Sequence, residues 1–363
     1  MKTLLALLTV VGLSSQAHAW GGRGHAAICE TAVFLVKEPG LKEYLKNKPQ
    51  MMGHLCNMPD FYWRSFPSEM TKLGNPTHFI DVEITGLKVT EVPTDFKQIV
   101  ETYTGKENKF KKGATIYNVP SEFGSVWWRA DQFYRRFLTF GKDLAAAEPP
   151  KNSKEETDDN LPYNKAAYEM AVSLGLMGHF VGDASQPLHN TADYDGYATG
   201  HGGLHAYYED QVVSEFDGDL QARVLKEARA MKNPKFLKPK TVVEKMKVLS
   251  ESSMDELKLI FKQDPVKKPS TVVNERGMDI RKAAERESAA VGYKKFNKII
   301  VTELARSSVL LAHLWDEAYA EAGKPALASS KIYKYPLTVE FIAPDYLPAK
   351  EEPKKDEAKA EKK

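Results

Sequence analysis

Apolar positions recur at three- and four-residue steps along most of the chain, the signature of helices that bury one face. Residues 24–37 carry His25, Cys29, Ala32 and then Phe34, Leu35 and Val36 on one stripe. Residues 125–147 repeat the pattern with Trp127, Trp128, Phe133, Phe137 and Leu144. The segments 161–183, 204–216 and 242–261, and the long stretch 276–322, read as helices in the same way. Strand-like alternation is confined to residues 78–84 and weaker segments just after them. The pattern predicts an all-α fold: a single helical-bundle domain with a few short strands. Two charged, proline-containing stretches, 148–160 and 217–240, read as long solvent-exposed insertions. Residues 348–363 contain only Pro, Ala, Lys, Glu and Asp and predict a disordered tail.

The start of the chain obeys a different logic. Lys2 is followed by an apolar run over residues 4–13 and then by Ser14, Ser15, Gln16, Ala17, His18 and Ala19. A charged end, a short apolar core and an A-x-A site make residues 1–19 a signal peptide, with a core too short to span a bilayer. Cleavage after Ala19 makes Trp20 the first residue of a secreted or periplasmic protein whose domain covers residues 20–347. The formal net charge of the 363 residues is +2, and loss of Lys2 removes one of those charges. No global basic field is available to hold a nucleic acid or an anionic membrane, so phosphate recognition has to be local. Two cysteines, Cys29 and Cys56, suggest one disulfide in an exported chain, with two buried free thiols as the alternative.

The histidines and carboxylates bring in chemistry. His179 and Asp183 are four apart on a predicted helix and share a face, and His189 follows beyond Pro187. His205 and Glu209 repeat the four-residue step. These are imidazole and carboxylate donors at spacings that suit zinc. His201, four residues before His205, could supplement or replace that ligand. Upstream, His78 stands with Phe79 and Asp81 in a short extended segment, and Asp60 sits in a turn after Pro59. At the new N-terminus Trp20 precedes His25 by five. A free α-amino group titrates near ~7.7 to 8.0, so it can lose its proton and ligate a metal.

Together, in this chain order, these residues resemble the zinc-dependent single-strand-specific nucleases of fungi and plants (the S-one/P-one type) and their relatives, the bacterial zinc phospholipases C. The matching elements lie between Trp20 and Glu209. The resemblance implies the helical fold of that superfamily and three zinc ions. Asp60, His78, His179 and Asp183 would hold the first, and His189, His205 and Glu209 the second. Trp20, through its amino nitrogen and carbonyl oxygen, would hold the third with His25 and a bridging Asp183. Phe79 would stack a base and Asp81 would bind the base edge. Arg64 lies one residue beyond where the family keeps a phosphate-binding arginine. Cys29 and Cys56 resemble the disulfide pair of the plant nucleases.

The implied reaction is hydrolysis of single-stranded DNA or RNA to 5′-phosphorylated products, extending to 3′-nucleotidase activity, with Asp60 orienting the attacking water or taking its proton. Two departures favour the phospholipase branch as the alternative, with phospholipid as its substrate: Glu209 stands where the nucleases use aspartate, and residues 190–204 are short. A third reading is a non-catalytic zinc protein, which an open coordination position argues against.

Overall fold

From Met170 to Ala184 every residue is buried, glycines and polar residues included. A helix enclosed on all sides has to be central. In the computed structural model, which describes residues 20–276, 278–327 and 335–348, this helix lies at the middle of a mostly helical architecture. The elements that carry the argument are α1 (Gly21–Val33), α2 (Pro49–Cys56), α3 (Val126–Ala146), α4 (Pro162–Ala184), α5 (Leu220–Ala230), α6 (Val242–Gln263) and α7 (Ala289–Glu321). The central helix α4 runs along α3 and also packs against α1, α2 and α7. No helix among the described residues is long and apolar enough to cross a membrane.

Local signals account for several boundaries. Pro162 opens α4 at a position where the missing N–H would have no partner anyway. Thr241 and Glu244 form a capping box at the start of α6, each side chain bonding the other's backbone N–H.

Close approach of helices to α4 depends on its glycines. A methyl group at Gly175 would overlap Leu55 of α2, one at Gly178 would overlap the Cys29 sulfur of α1, and one at Gly182 would meet His25 of α1. The three glycines therefore form a groove that seats α1 and α2 against the helix.

Three expectations change. Residues 276–322 are not one helix: β2 (Thr271–Glu275) and β3 (Met278–Lys282) pair antiparallel, and α7 begins only at Ala289. At the base of this ribbon, β1 (Val266–Lys268) pairs with β4 (Glu285–Arg286). These two-stranded sheets are the only ones among the described residues. Residues 78–84 do not form a strand. They fold as 3₁₀ turns, Asn75–His78 and Val82–Ile84, around a single bridge from Ile80 to Gly124. The backbone N–H groups of Ile80 and Asp81 donate to His189 and Phe123, so no ladder is needed. Residues 217–240 are not a solvated insertion, because α5 buries Leu220, Val224 and Ala228 at four-residue steps against α1 and α7. By contrast, residues 148–160 carry only the short helix Ser153–Glu156 with no buried residue, as expected. The predicted signal peptide, residues 1–19, and all of the predicted tail but Pro348 lie outside the described residues.

Candidate metal centre

Five elements meet at one end of α4. That helix supplies His179 and Asp183, and α1 supplies His25 across the Gly182 contact. Asp60 comes from the turn Met58–Phe61 that follows α2. His78 ends its 3₁₀ turn, and His189 lies in the turn Pro187–Asn190. His205 and Glu209 come from a distorted helical segment: one α-turn (Leu204–Ala206), a π-turn (Tyr207–Gln211) that contains Glu209, and a further α-turn (Val212–Ser214). Single π-turns occur often where a side chain must be re-aimed at a functional site. All eight side chains are buried.

The donor atoms converge. His78 Nδ1 lies 2.9 Å from Asp183 Oδ2 and 3.0 Å from His179 Nε2. His179 Nε2 is 3.3 Å from Asp183 Oδ2 and 3.9 Å from Asp60 Oδ1. His25 Nε2 is 3.4 Å from Asp183 Oδ1 and 3.8 Å from Asp60 Oδ2. His189 and His205 bring their Nε2 atoms to 3.0 Å from each other, and Glu209 Oε2 lies 2.8 Å from His205 Nε2. Three sets of donor atoms thus lie within 4.8 Å of one another and could each hold a metal ion: His25, Asp60 and His179; His78, His179 and Asp183; and His189, His205 and Glu209.

The surroundings fit a cation. His179 donates Nδ1–H to the Cys56 carbonyl at 2.7 Å, and His189 donates Nδ1–H to the His78 carbonyl at 2.6 Å. Each bond leaves the Nε2 lone pair aimed into the cluster, which is the outer-shell arrangement of metal-ligating histidines. Asp60 Oδ2 is buried with no hydrogen-bond partner among the described residues. Gln186 Nε2 holds Glu209 Oε2 at 2.8 Å.

Burial makes seven of these residues, Asp60, His78, His179, Asp183, His189, His205 and Glu209, resist their own charge. It pushes the carboxyls of Asp60 and Asp183 up to about 6 and that of Glu209 well above the usual range. The imidazoles of His179 and His205 fall to about 4, and those of His78 and His189 fall well below their ordinary value. A bound dication reverses this for the acids, because it ligates the ionised carboxylate and the neutral imidazole.

Other sequence-predicted residues fall around this core. Trp20 is fully buried, with its indole N–H donating to the Gly182 carbonyl at 2.8 Å. Its backbone nitrogen hydrogen-bonds to Glu209, and its carbonyl accepts from Gly24 N–H at 3.0 Å. The start of α1 therefore lies in the cluster, on the Glu209 side. Arg64 reaches back to donate to Asp60 Oδ1 at 2.8 Å, so the extra residue between them does not remove it from the site. Phe79 is half-buried, with its ring and carbonyl against Gly124, whose φ of 80° and missing side chain allow the contact. Burial and neighbouring Glu83 push the Asp81 carboxyl well above its usual range.

One expectation about a single residue changes. His201 does not join the metal-ligand groups: its Nδ1 bonds Asp264 Oδ2 at 2.8 Å, and Arg286 grips the same carboxylate at 2.8 and 3.0 Å. Cys29 and Cys56 are buried side by side beside Gly178 with their thiol groups in hydrogen-bond contact, and the Cys29 thiol is also directed at the Gly175 carbonyl 3.8 Å away. Sequence reasoning passed over Gln186, Asp195, whose carboxylate accepts the His205 backbone N–H at 3.2 Å, and the glycine groove of α4. The glycines were visible at positions 175, 178 and 182, stepping with the helical period beside His179 and Asp183. No protein-family profile matches the chain, and no curated protein sequence matches it.

Proposed function

We propose that this protein is an exported zinc-dependent phosphodiesterase of the phospholipase C/nuclease type, with three zinc ions, that hydrolyses single-stranded DNA and RNA to 5′-phosphorylated products. The observation that carries the reading is the convergence of five imidazoles and three carboxylates, all buried, into adjoining three-donor groups. Residues scattered from position 25 to position 209 seldom gather so many ionisable groups in a dry interior unless a cation compensates them.

When bound, the ions supply Lewis-acid charge for a phosphodiester and bring the pKa of water down to ~7. The protein's own residues do the rest. Asp183 faces both the His25 side and the His78 side of the cluster, so it joins two donor groups. Asp60 presents Oδ2 inward to orient a water or take its proton, while its other oxygen is held by Arg64. Arg64 adds a positive charge at the rim for a substrate phosphate. Phe79 offers a face to an unpaired base, and Asp81 offers its carboxyl to the base edge. Stacking on an aromatic ring is worth roughly 1–3 kcal/mol per base and tolerates any sequence, which suits a broad single-strand specificity.

A phospholipase C reading keeps the same metal chemistry and draws on Glu209 and the short segment 190–204. Assaying single-stranded DNA, RNA and phosphatidylcholine in parallel with the zinc-loaded protein separates them. Mononucleotide release supports the nuclease, and release of phosphocholine alone overturns it.

A further inference from the structure

The ribbon of β2 and β3 is the largest feature absent from the sequence expectation, and it does not stand apart from the metal centre. Its base is tied to the loop that leads into His205. Ser270 N–H donates to the Gly200 carbonyl and Ala284 N–H to the Gly202 carbonyl, both at 2.9 Å, while Ser270 Oγ accepts from Gly202 N–H at 2.9 Å. Arg286 donates to the Gly202 carbonyl at 2.9 Å and, with His201, closes the ion-paired lock on Asp264. The ribbon is therefore held in register with a segment only three residues from a metal-ligand candidate.

In that register Val272 pairs with Arg281, and the Arg281 guanidinium lies over the Tyr197 ring, 5.2 Å from its centre. The Tyr197 ring in turn lies against Gly202, where any side chain would collide with it. Tyr194, 47 % exposed, stands edge-on to the His205 ring with centroids 5.6 Å apart. After burial, the Asp195 carboxylate acts most strongly on the Tyr194 phenol, and the charges of Arg281 and Asp81 reach it as well. Arg281 thus stands over Tyr197, and its charge also reaches Tyr194, the ring set against His205. Arg281 has no ion pair among the described residues, and the hydroxyls of Tyr194 and Tyr197 have no hydrogen-bond partner there. An exposed guanidinium and two phenol donors at the edge of a phosphodiester site are a set for an anion, and arginine's planar fork suits phosphate.

We infer that Arg281, with Tyr194 and Tyr197, forms a subsite for a second phosphate, the one next to the bond that is cut, so that the site selects a phosphodiester chain over a lone diester. The inference rests on the phosphodiesterase reading and narrows its substrate. A polynucleotide carries a phosphate on every nucleotide and satisfies the subsite. A choline headgroup presents a cation beyond its single phosphate, which Arg281 repels.

The test compares wild type, Arg281→Gln and Arg281→Lys, all zinc-loaded, on trithymidylate, on bis(4-nitrophenyl) phosphate and on phosphatidylcholine vesicles. A charge-assisted hydrogen bond contributes about 1.5–3 kcal/mol, so losing it raises the trithymidylate KM by about tenfold or more. For Arg281→Gln, kcat stays within about twofold, the single-phosphate diester is unaffected, and Arg281→Lys restores part of the loss. An unchanged trithymidylate KM, an equal rise on both small substrates, or a defect confined to vesicles overturns the subsite. Fluorescence anisotropy of end-labelled trithymidylate provides a readout independent of turnover. If wild type cleaves none of the three substrates the phosphodiesterase reading fails, and a tenfold weaker binding by Arg281→Gln still supports the subsite, while unchanged binding overturns it.

Discussion

Gly182→Ala is the most informative single change, because the same added methyl group acts on the stability of α4 and on the geometry of the metal centre in opposite directions. In an ordinary helix interior, replacing glycine by alanine stabilises by roughly 0.5–1 kcal/mol. Here the new carbon would lie 2.9 Å from His25 Nδ1 and 2.9 Å from Ile28 Cδ1, about 0.5 Å inside ordinary contact. Both neighbours are fully buried, so neither can swing into solvent. Overpacking of this kind costs about 1–3 kcal/mol, which leaves a net loss of up to ~2 kcal/mol and a fall in Tm of several degrees. More tellingly, His25 must withdraw by about 0.5 Å from Asp183 and Asp60, which is the tolerance of a preorganised ligand set. The expected result is loss of the ion held on the His25 side while the His189, His205 and Glu209 group stays loaded, because the nearest neighbours of the new methyl group are His25 and Ile28. Elemental analysis and calorimetry read both effects. Gly178→Ala is the comparison: its methyl group strikes the Cys29 sulfur and Leu311 rather than a ligand, so it lowers Tm through the core. A Gly182→Ala protein with a raised Tm and a full complement of metal would refute the reasoning.

Three further outcomes are expected. Chelation lowers Tm, and the loss grows with pH: Asp60 and Asp183, raised from 3.8 to about 6, stabilise the metal-free fold below about pH 4 and lose that contribution as pH rises through 6. His179 and His205, lowered from 6.5 to about 4, act oppositely, favouring the fold above pH 6.5 and losing that contribution as pH falls toward 4. The metal's stabilisation is therefore greatest at pH 7–8, where the buried carboxylates are ionised, and shrinks below pH 6, where it must displace their protons; scanning calorimetry with and without chelator would show otherwise if the difference were flat. One extra residue before Trp20 leaves the fold intact but removes most activity and one metal equivalent, and full activity in that variant contradicts an N-terminal ligand. Phe79→Ala weakens nucleotide binding by roughly 1–3 kcal/mol, measured by calorimetric titration, and unchanged affinity removes the base-stacking role.

The helices that carry the candidate ligands were legible because their apolar stripes are long and regular. Residues 125–147 and 161–183 were read to within a residue of α3 and α4. The candidate ligands were legible because pairs such as His179 and Asp183 keep a four-residue step. What escaped depends on partners distant in sequence. The ribbon of β2 and β3 exposes most of its side chains, so its apolar pattern says little, and its position comes from bonds at its base to Gly200 and Gly202. The segment around Ile80 looks strand-like because Phe79, Ile80, Val82 and Ile84 are aromatic or β-branched, but the N–H groups of Ile80 and Asp81 find single distant carbonyls. In α5 the charged residues hid a stripe of only three apolar positions.

The central claim is most directly tested by counting zinc on the purified protein beginning at Trp20, by elemental analysis after dialysis against metal-free buffer. The account predicts three ions per chain, falling by at least one in Asp183→Asn, whose carboxylate lies against both His25 and His78. A folded protein that retains no zinc, or whose zinc content is untouched by that substitution, would contradict it.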